Sequence, residues 1–209
     1  MPMLLNPKNK EIFDLIIKKP EVQKYLTDIK LHHLDSYEHS VRVGQLVLDL
    51  GIENEIGGKD LETLCIAGLL HDLGKCDIQD ELLSKDSSLT KEERESIKAH
   101  PRLGFIKIIE PKLEDVRKIT VRHHEFKKCP YPRSGEDRRG DGRDISKERR
   151  EKNDLLDLLS QVVAASDIFD ALSNKRSYKE ALPKEEVSRI MEGQFIGDKK
   201  FVYQVLKRY

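Results

Sequence analysis

The chain is predicted to be all-α, and three observations carry that expectation. Apolar residues recur mostly three and four apart, strand-like alternation is nearly absent, and helix start and stop signals flank the periodic runs. With 209 residues the chain is long enough for one large core, so residues 1–209 are expected to form one helical-bundle domain.

The elements follow in chain order. If the helix carrying His39 extends back to Asp35, those two residues lie four apart on one face. Leu61, Leu64, Cys65, Gly68 and Leu69 mark a second helix, which Asp60 is placed to cap and which runs out at His71-Asp72. Gly74, just past that pair, is expected to let the backbone turn away. Thr90 with Glu93 makes a capping box that opens another helix. Leu155, Leu158, Leu159, Val162 and Val163 then define a helix leading to Asp167. Between Pro130 and Lys152 the pattern fails: Pro, Gly and dense charges of both signs give no apolar face, so a long exposed loop is expected, with 133–152 as its charged part.

Composition narrows the function classes. Lysine plus arginine (38) balance aspartate plus glutamate (38), so no net field draws the chain to nucleic acid or to an anionic membrane. Any affinity for phosphate must be local. The three cysteines, Cys65, Cys76 and Cys129, show no C-x-x-C spacing and read as ordinary thiols in a reducing compartment. No stretch approaches the length of a membrane span and the opening apolar run is too short for a signal peptide, so a cytoplasmic location is expected.

Chemistry concentrates in the histidines. His39, His71 with Asp72, His100, and His123 with His124 fall in four short contexts, and Asp167 adds a second carboxylate. Imidazole and carboxylate ligands suit iron, manganese, zinc or nickel, and the set exceeds what one tetrahedral site can use. Two metals sharing a carboxylate is the natural reading. A lone histidine–aspartate pair is usually a surface or capping feature, and adjacent histidines are usually half-exposed helix residues; the four contexts together shift that balance. His32 and His33 match no pattern and read as surface or packing residues.

In order, the segments H…HD-x-G-K…H-P-x-x-G…H-H-E…D-x-x-D-A-L-x-x-x-R-x-Y-K resemble the HD-GYP branch of the HD-domain metal phosphohydrolases, over 36–182. That resemblance implies an all-helical fold with a metal cluster in its core, and hydrolysis of cyclic di-GMP by a hydroxide held between two divalent ions, commonly iron or manganese. It implies that His39, His71, Asp72 and Asp167 bind one ion, and that Asp72 bridges to a second held by His100, His123 and His124. Lys75, one turn from Asp72, would contact phosphate and stabilise charge on the leaving oxygen; a solvated lysine at a helix C-terminus is the alternative. Arg176 and Lys179, three apart, would grip phosphate or guanine. Asp170 would orient a ligand or Lys75, or else cap local backbone. Asp35 stands where family members with a third metal carry glutamate.

The stretch that names the branch, H-H-E-x-x-D-G-x-G-Y-P, here reads HHEFKKCPYPRSG, with both glycines and the aspartate missing and Lys127 and Lys128 adding positive charge. Alternative functions are therefore an HD phosphohydrolase acting on another nucleotide or phosphoester, and a non-catalytic cyclic-dinucleotide-binding module. The expected partner is a small nucleotide, with assembly open between monomer and homodimer.

Overall fold

The structure, a computed structural model, describes residues 6–128, 154–175 and 180–209. The described residues are helical without a strand, as the spacing predicts; an isolated antiparallel bridge pairs Lys127 with Phe195. In chain order the helices are α1 (Lys10–Ile17), α2 (Pro20–His32), α3 (Leu34–Glu53), α4 (Gly58–Leu70), α5 (Asp80–Leu83), α6 (Lys91–Lys98), α7 (His100–Lys107), α8 (Glu114–Arg122), α9 (Asp154–Ser173), α10 (Lys184–Gln194) and α11 (Lys199–Leu206). A 3₁₀ turn, Leu73–Asp77, links α4 to α5.

α3 and α4 form the centre. Along α3 the buried residues Ser36, His39, Ser40, Val43, Gly44, Val47 and Leu50 recur at helical spacing, a stripe that must be covered. α4 covers it closely, because Gly44 on α3 and Gly68 on α4 leave no room for side chains: a Cβ on Gly68 would sit 2.6 Å from Val47 and 3.2 Å from the Cα of Gly44. α9 packs across α3 and α8 and is buried around most of its circumference from Leu156 to Asp170, as expected of a central helix. α7 lies against the 3₁₀ turn and α8. One apolar cluster runs through these elements, from Phe13 on α1 to Leu206 on α11.

Local signals fared unevenly. The Thr90–Glu93 capping box closes as read. Asp60 does not cap α4; Gly57 is the N-cap, and Asp60 sits in the first turn, where its charge complements the helix dipole. Gly74 keeps a right-handed backbone, since Gly58 is the one glycine with positive φ among the described residues. Its role is contact. A Cβ there would lie 1.9 Å from the carbonyl oxygen of His100 and 2.5 Å from the nitrogen of Gly104, so glycine is what lets the turn after Asp72 seat against α7. The 133–152 loop lies outside the described residues, as do Cys129, Arg176 and Lys179. No helix among the described residues is long and apolar enough to cross a membrane.

Candidate metal centre

Five histidines and two aspartates, on α3, α7 and α9 and just past the ends of α4 and α8, meet at one buried point. Two groups of ligand-type atoms each lie within 4.8 Å of one another: His39, His71 and Asp72, and His100, His123 and His124. Asp72 touches both. Its Oδ2 lies 3.6 Å from Nε2 of His39 and 3.4 Å from Nε2 of His71, while its Oδ1 lies 3.2 Å from Nε2 of His100. Asp167 reaches in from α9, with Oδ1 3.2 Å from Nε2 of His39 and 3.8 Å from Nε2 of His71. The structure thus brings the sequence-predicted ligand residues together, with Asp72 within reach of both groups and Asp167 beside the first. Asp35 belongs to neither group.

A common local device aims three of the imidazoles. Each sits just past a helix C-terminus, where the last carbonyls have no intrahelical donor. His71 after α4 donates from Nδ1 to the carbonyl of Gly68 (2.8 Å), His123 after α8 to that of Thr120 (2.6 Å), and His100 after α6 to that of Ile97 (2.7 Å). A carbonyl can only accept, so Nδ1 carries the proton in all three and Nε2 presents its other face to the centre. His39 is aimed differently: its Nδ1 donates to Oδ2 of Asp170 (2.6 Å), and Asp170 is gripped by Arg42, Nε to Oδ1 at 2.8 Å and a terminal nitrogen to Oδ2 at 3.1 Å. Asp170 therefore orients His39 rather than Lys75. Asn174 adds a donor to the same carboxylate.

The consequence is a convergence of ring nitrogens. Nε2 of His100 lies 3.2 Å from Nε2 of His123 and 3.2 Å from Nε2 of His124, and Nε2 of His39 lies 3.2 Å from Nε2 of His71. Burial pushes His100 down to about 4, against the pull of Asp72, and pushes His123 and His124 well below the ordinary histidine range, helped by neighbouring imidazoles. Burial thus disfavours the protonated form of all three rings, and His100 and His123 turn Nε2 toward each other, an arrangement that a cation between them would stabilise. On the other side, burial would lower His71, but Asp72, Asp167 and the Gly68 carbonyl prevail and raise it. Burial would raise the two carboxyls, yet Asp72 is held well below its ordinary range by Lys75 and then His71, and Asp167 by Lys127 and then His39.

Two lysines complete the site. Lys75 places its ammonium 2.5 Å from Oδ2 of Asp72, so it is bound to the shared carboxylate rather than solvated at a helix end. Lys127, absent from the predicted site, lies 3.2 Å from Oδ2 of Asp167. Its charge is visible in the sequence, but its partner is 40 residues away and its approach depends on the Lys127–Phe195 bridge. Arg42, three residues past His39, was likewise invisible as a site residue. His33 serves as the N-cap of α3, accepting from the Ser36 amide, and His32 meets the Ile78 carbonyl, both packing roles as expected.

Comparison with known proteins agrees with this donor set. A family model described as HD domain matches residues 36–172. Among curated relatives, a cyclic di-GMP phosphodiesterase of Thermotoga maritima is 29% identical over 186 residues, covering 87% of this chain and 46% of that protein. The cyclic di-GMP phosphodiesterase response regulator RpfG of Xanthomonas campestris pv. campestris is 33% identical over 142 residues, 66% of this chain and 32% of that protein. A 3'3'-cGAMP-specific phosphodiesterase of Vibrio cholerae is 27% identical over 158 residues, 74% of this chain and 30% of that protein. The chain therefore spans less than half the length of each of these relatives. The match over 36–172, the all-helical core and the clustered histidines and aspartates together establish that the chain belongs to the HD domain family, whose donor set is that of a divalent-metal site.

Proposed function

We propose that this chain is a metal-dependent phosphodiesterase acting on a cyclic dinucleotide of the cyclic di-GMP class, with two divalent ions, iron or manganese, held by the two triads. The observation that carries the reading is the facing of imidazole nitrogens at 3.2 Å around one carboxylate whose two oxygens address different triads. His39, His71, Asp72 and Asp167 would hold one ion, and Asp72, His100, His123 and His124 the other. Bound cations of this kind lower the pKa of water toward about 7 and take up the charge of attacking and leaving oxygens.

The residues of the chain supply the remaining requirements. Asp72, anchored by Lys75, would supply an oxygen to each of the two ions. Asp170 and Arg42 fix His39, and three backbone carbonyls fix His71, His100 and His123, so the donors are preorganised and little reorganisation accompanies binding. Lys75 is placed to stabilise charge on the leaving oxygen, and Arg176 and Lys179 keep their proposed role as substrate contacts on the strength of the R-x-Y-K segment. The same reading takes residues 1–209 as one domain working in the cytoplasm, in keeping with the free thiols of Cys65 and Cys76. The departure at HHEFKKCPYP favours, as a second reading, another phosphoester substrate.

The test is to load anaerobically purified protein with iron or manganese and offer it cyclic di-GMP, the linear dinucleotide and a generic phosphodiester. Hydrolysis of the cyclic dinucleotide is expected. Full metal content with no turnover of any of the three would favour a non-catalytic binding module instead.

A further inference from the structure

His100 opens α7, an eight-residue helix roughly 12 Å long that ends at Lys107. Near its start the helix is held by the His100 ring, which donates to the Ile97 carbonyl, and by the backbone of His100 and Gly104, which seats against Gly74. Gly104 is four residues from His100 and three from Lys107. A tilt of α7 about its contact with Gly74 therefore moves both ends by comparable distances. Ligand distances tolerate only about 0.2 Å, so the far end of α7 must be held as well.

Tyr25 holds that end. It lies on α2, ahead of residues 36–172 matched by the family model, and is 2% exposed. Its hydroxyl enters the turn where α7 stops, a place where the last carbonyls of a helix lack intrahelical donors. The hydroxyl lies 3.2 Å from the Lys107 carbonyl oxygen and accepts the Ile109 amide at 3.2 Å, and it also meets the Glu110 carboxylate. Its one proton serves the Lys107 carbonyl and Glu110, both of which can only accept. Burial, then Glu110, pushes the hydroxyl up to about 12, so it keeps that proton. Lys24, beside it on α2, pairs with the other Glu110 oxygen at 2.9 Å. A second tie at the same end, Lys107 to Asp77 at 2.7 Å, joins side chains 29% and 42% exposed and holds weakly in water.

We propose that Tyr25 is a positioning residue for the ion held by His100, His123 and His124, fixing the end of α7 and, through the helix, the reach of His100 toward Asp72. The inference rests on the two-ion part of the phosphohydrolase reading and does not depend on the substrate. It gives α2, which supplies no ligand, a share in the metal centre. His39, His71, Asp72 and Asp167 all lie outside α7, so the effect is confined to one ion of the two.

The experiment measures manganese affinity, by competition with a chelator, in wild type, Tyr25→Phe, His100→Gln and the double variant. Tyr25→Phe removes the hydroxyl alone and is expected to weaken one ion about tenfold while leaving the other unchanged. In the His100→Gln background the same change should have no further effect, because Tyr25 acts through His100. Val22→Ala, which removes buried packing from the same helix, should lower Tm with both affinities kept. If Tyr25→Phe does not fold, Glu110→Ala, which removes the carboxylate partner, carries the same expectations. Both ions unchanged, both weakened equally, the same loss in the His100→Gln background, or an equal loss in Val22→Ala overturns the assignment and leaves the two-ion reading in place. A wild-type protein that takes up no metal overturns both.

Discussion

Substituting Gly74 with alanine adds one methyl group, yet it should damage the metal centre more than most surface changes nearby. The new Cβ would lie 1.9 Å from the His100 carbonyl oxygen, 2.5 Å from the Gly104 nitrogen and 2.8 Å from the His100 carbonyl carbon. All three are backbone atoms, so no side chain can swing aside. To reach the 3.0 Å below which real Cβ contacts are essentially never found, the turn and α7 must part by about 1.1 Å. Ligand distances tolerate only about 0.2 Å. His100 lies on one side of that movement and Asp72, two residues before Gly74, on the other, so the 3.2 Å approach of His100 Nε2 to Asp72 Oδ1 opens. Overpacking of this kind costs about 1–3 kcal/mol. For a chain of this size each kcal/mol lowers Tm by roughly 2–4 °C. Metal affinity should fall about tenfold to a hundredfold, in line with the loss of a supporting contact. The assay is thermal unfolding and metal competition on Gly74→Ala beside Gly193→Ala, whose Cβ would meet nothing within 4 Å. Wild-type Tm and metal affinity in Gly74→Ala would refute the close-approach argument.

Two further outcomes follow from the site. Asp170→Asn removes the carboxylate that accepts the His39 Nδ1 proton at 2.6 Å, so metal affinity should drop about tenfold to a hundredfold while the fold persists; unchanged affinity in metal competition would show that Arg42 and Asp170 do not orient His39. Metal-stripped protein should lose stability as pH falls. The folded chain holds the His100 pKa at about 4 against an ordinary 6.5, so the unfolded chain binds more protons between those values, and a contribution of about 3 kcal/mol present above pH 6.5 is lost by pH 4. His123 and His124 act in the same direction and raised His71 in the opposite one. Urea midpoints measured from pH 6.5 to 4 should show a shallower slope in His100→Gln than in wild type, and equal slopes would count against a buried neutral His100.

How much was legible beforehand depends on range. Helices α4 and α9 follow from apolar periodicity, a local property, and the ligand-type residues stand out because four histidine contexts recur with acids beside them. Their aiming was also partly local: a histidine just past a helix end can reach the carbonyl three residues back, which His71, His100 and His123 all do. Tertiary contacts were not legible. Gly74 looked like a turn residue because the sequence does not say that α7 passes against it. Asp60 looked like a cap because the sequence does not say that the helix begins at Gly58. Lys127 appeared as a charge without an address, since the bridge to Phe195 that positions it joins segments 68 residues apart.

The central claim is that Asp72 joins two ions in one centre. Metal analysis of wild type and Asp72→Ala after identical anaerobic loading tests it most directly. Two donor triads predict close to two ions per chain in wild type. Removing the carboxylate they share should bring content near zero, with the helical fold retained by circular dichroism and with His32→Ala, whose ring meets only the Ile78 carbonyl among its hydrogen bonds, behaving as wild type. Wild-type metal content in Asp72→Ala, or equal loss in His32→Ala, would contradict the account.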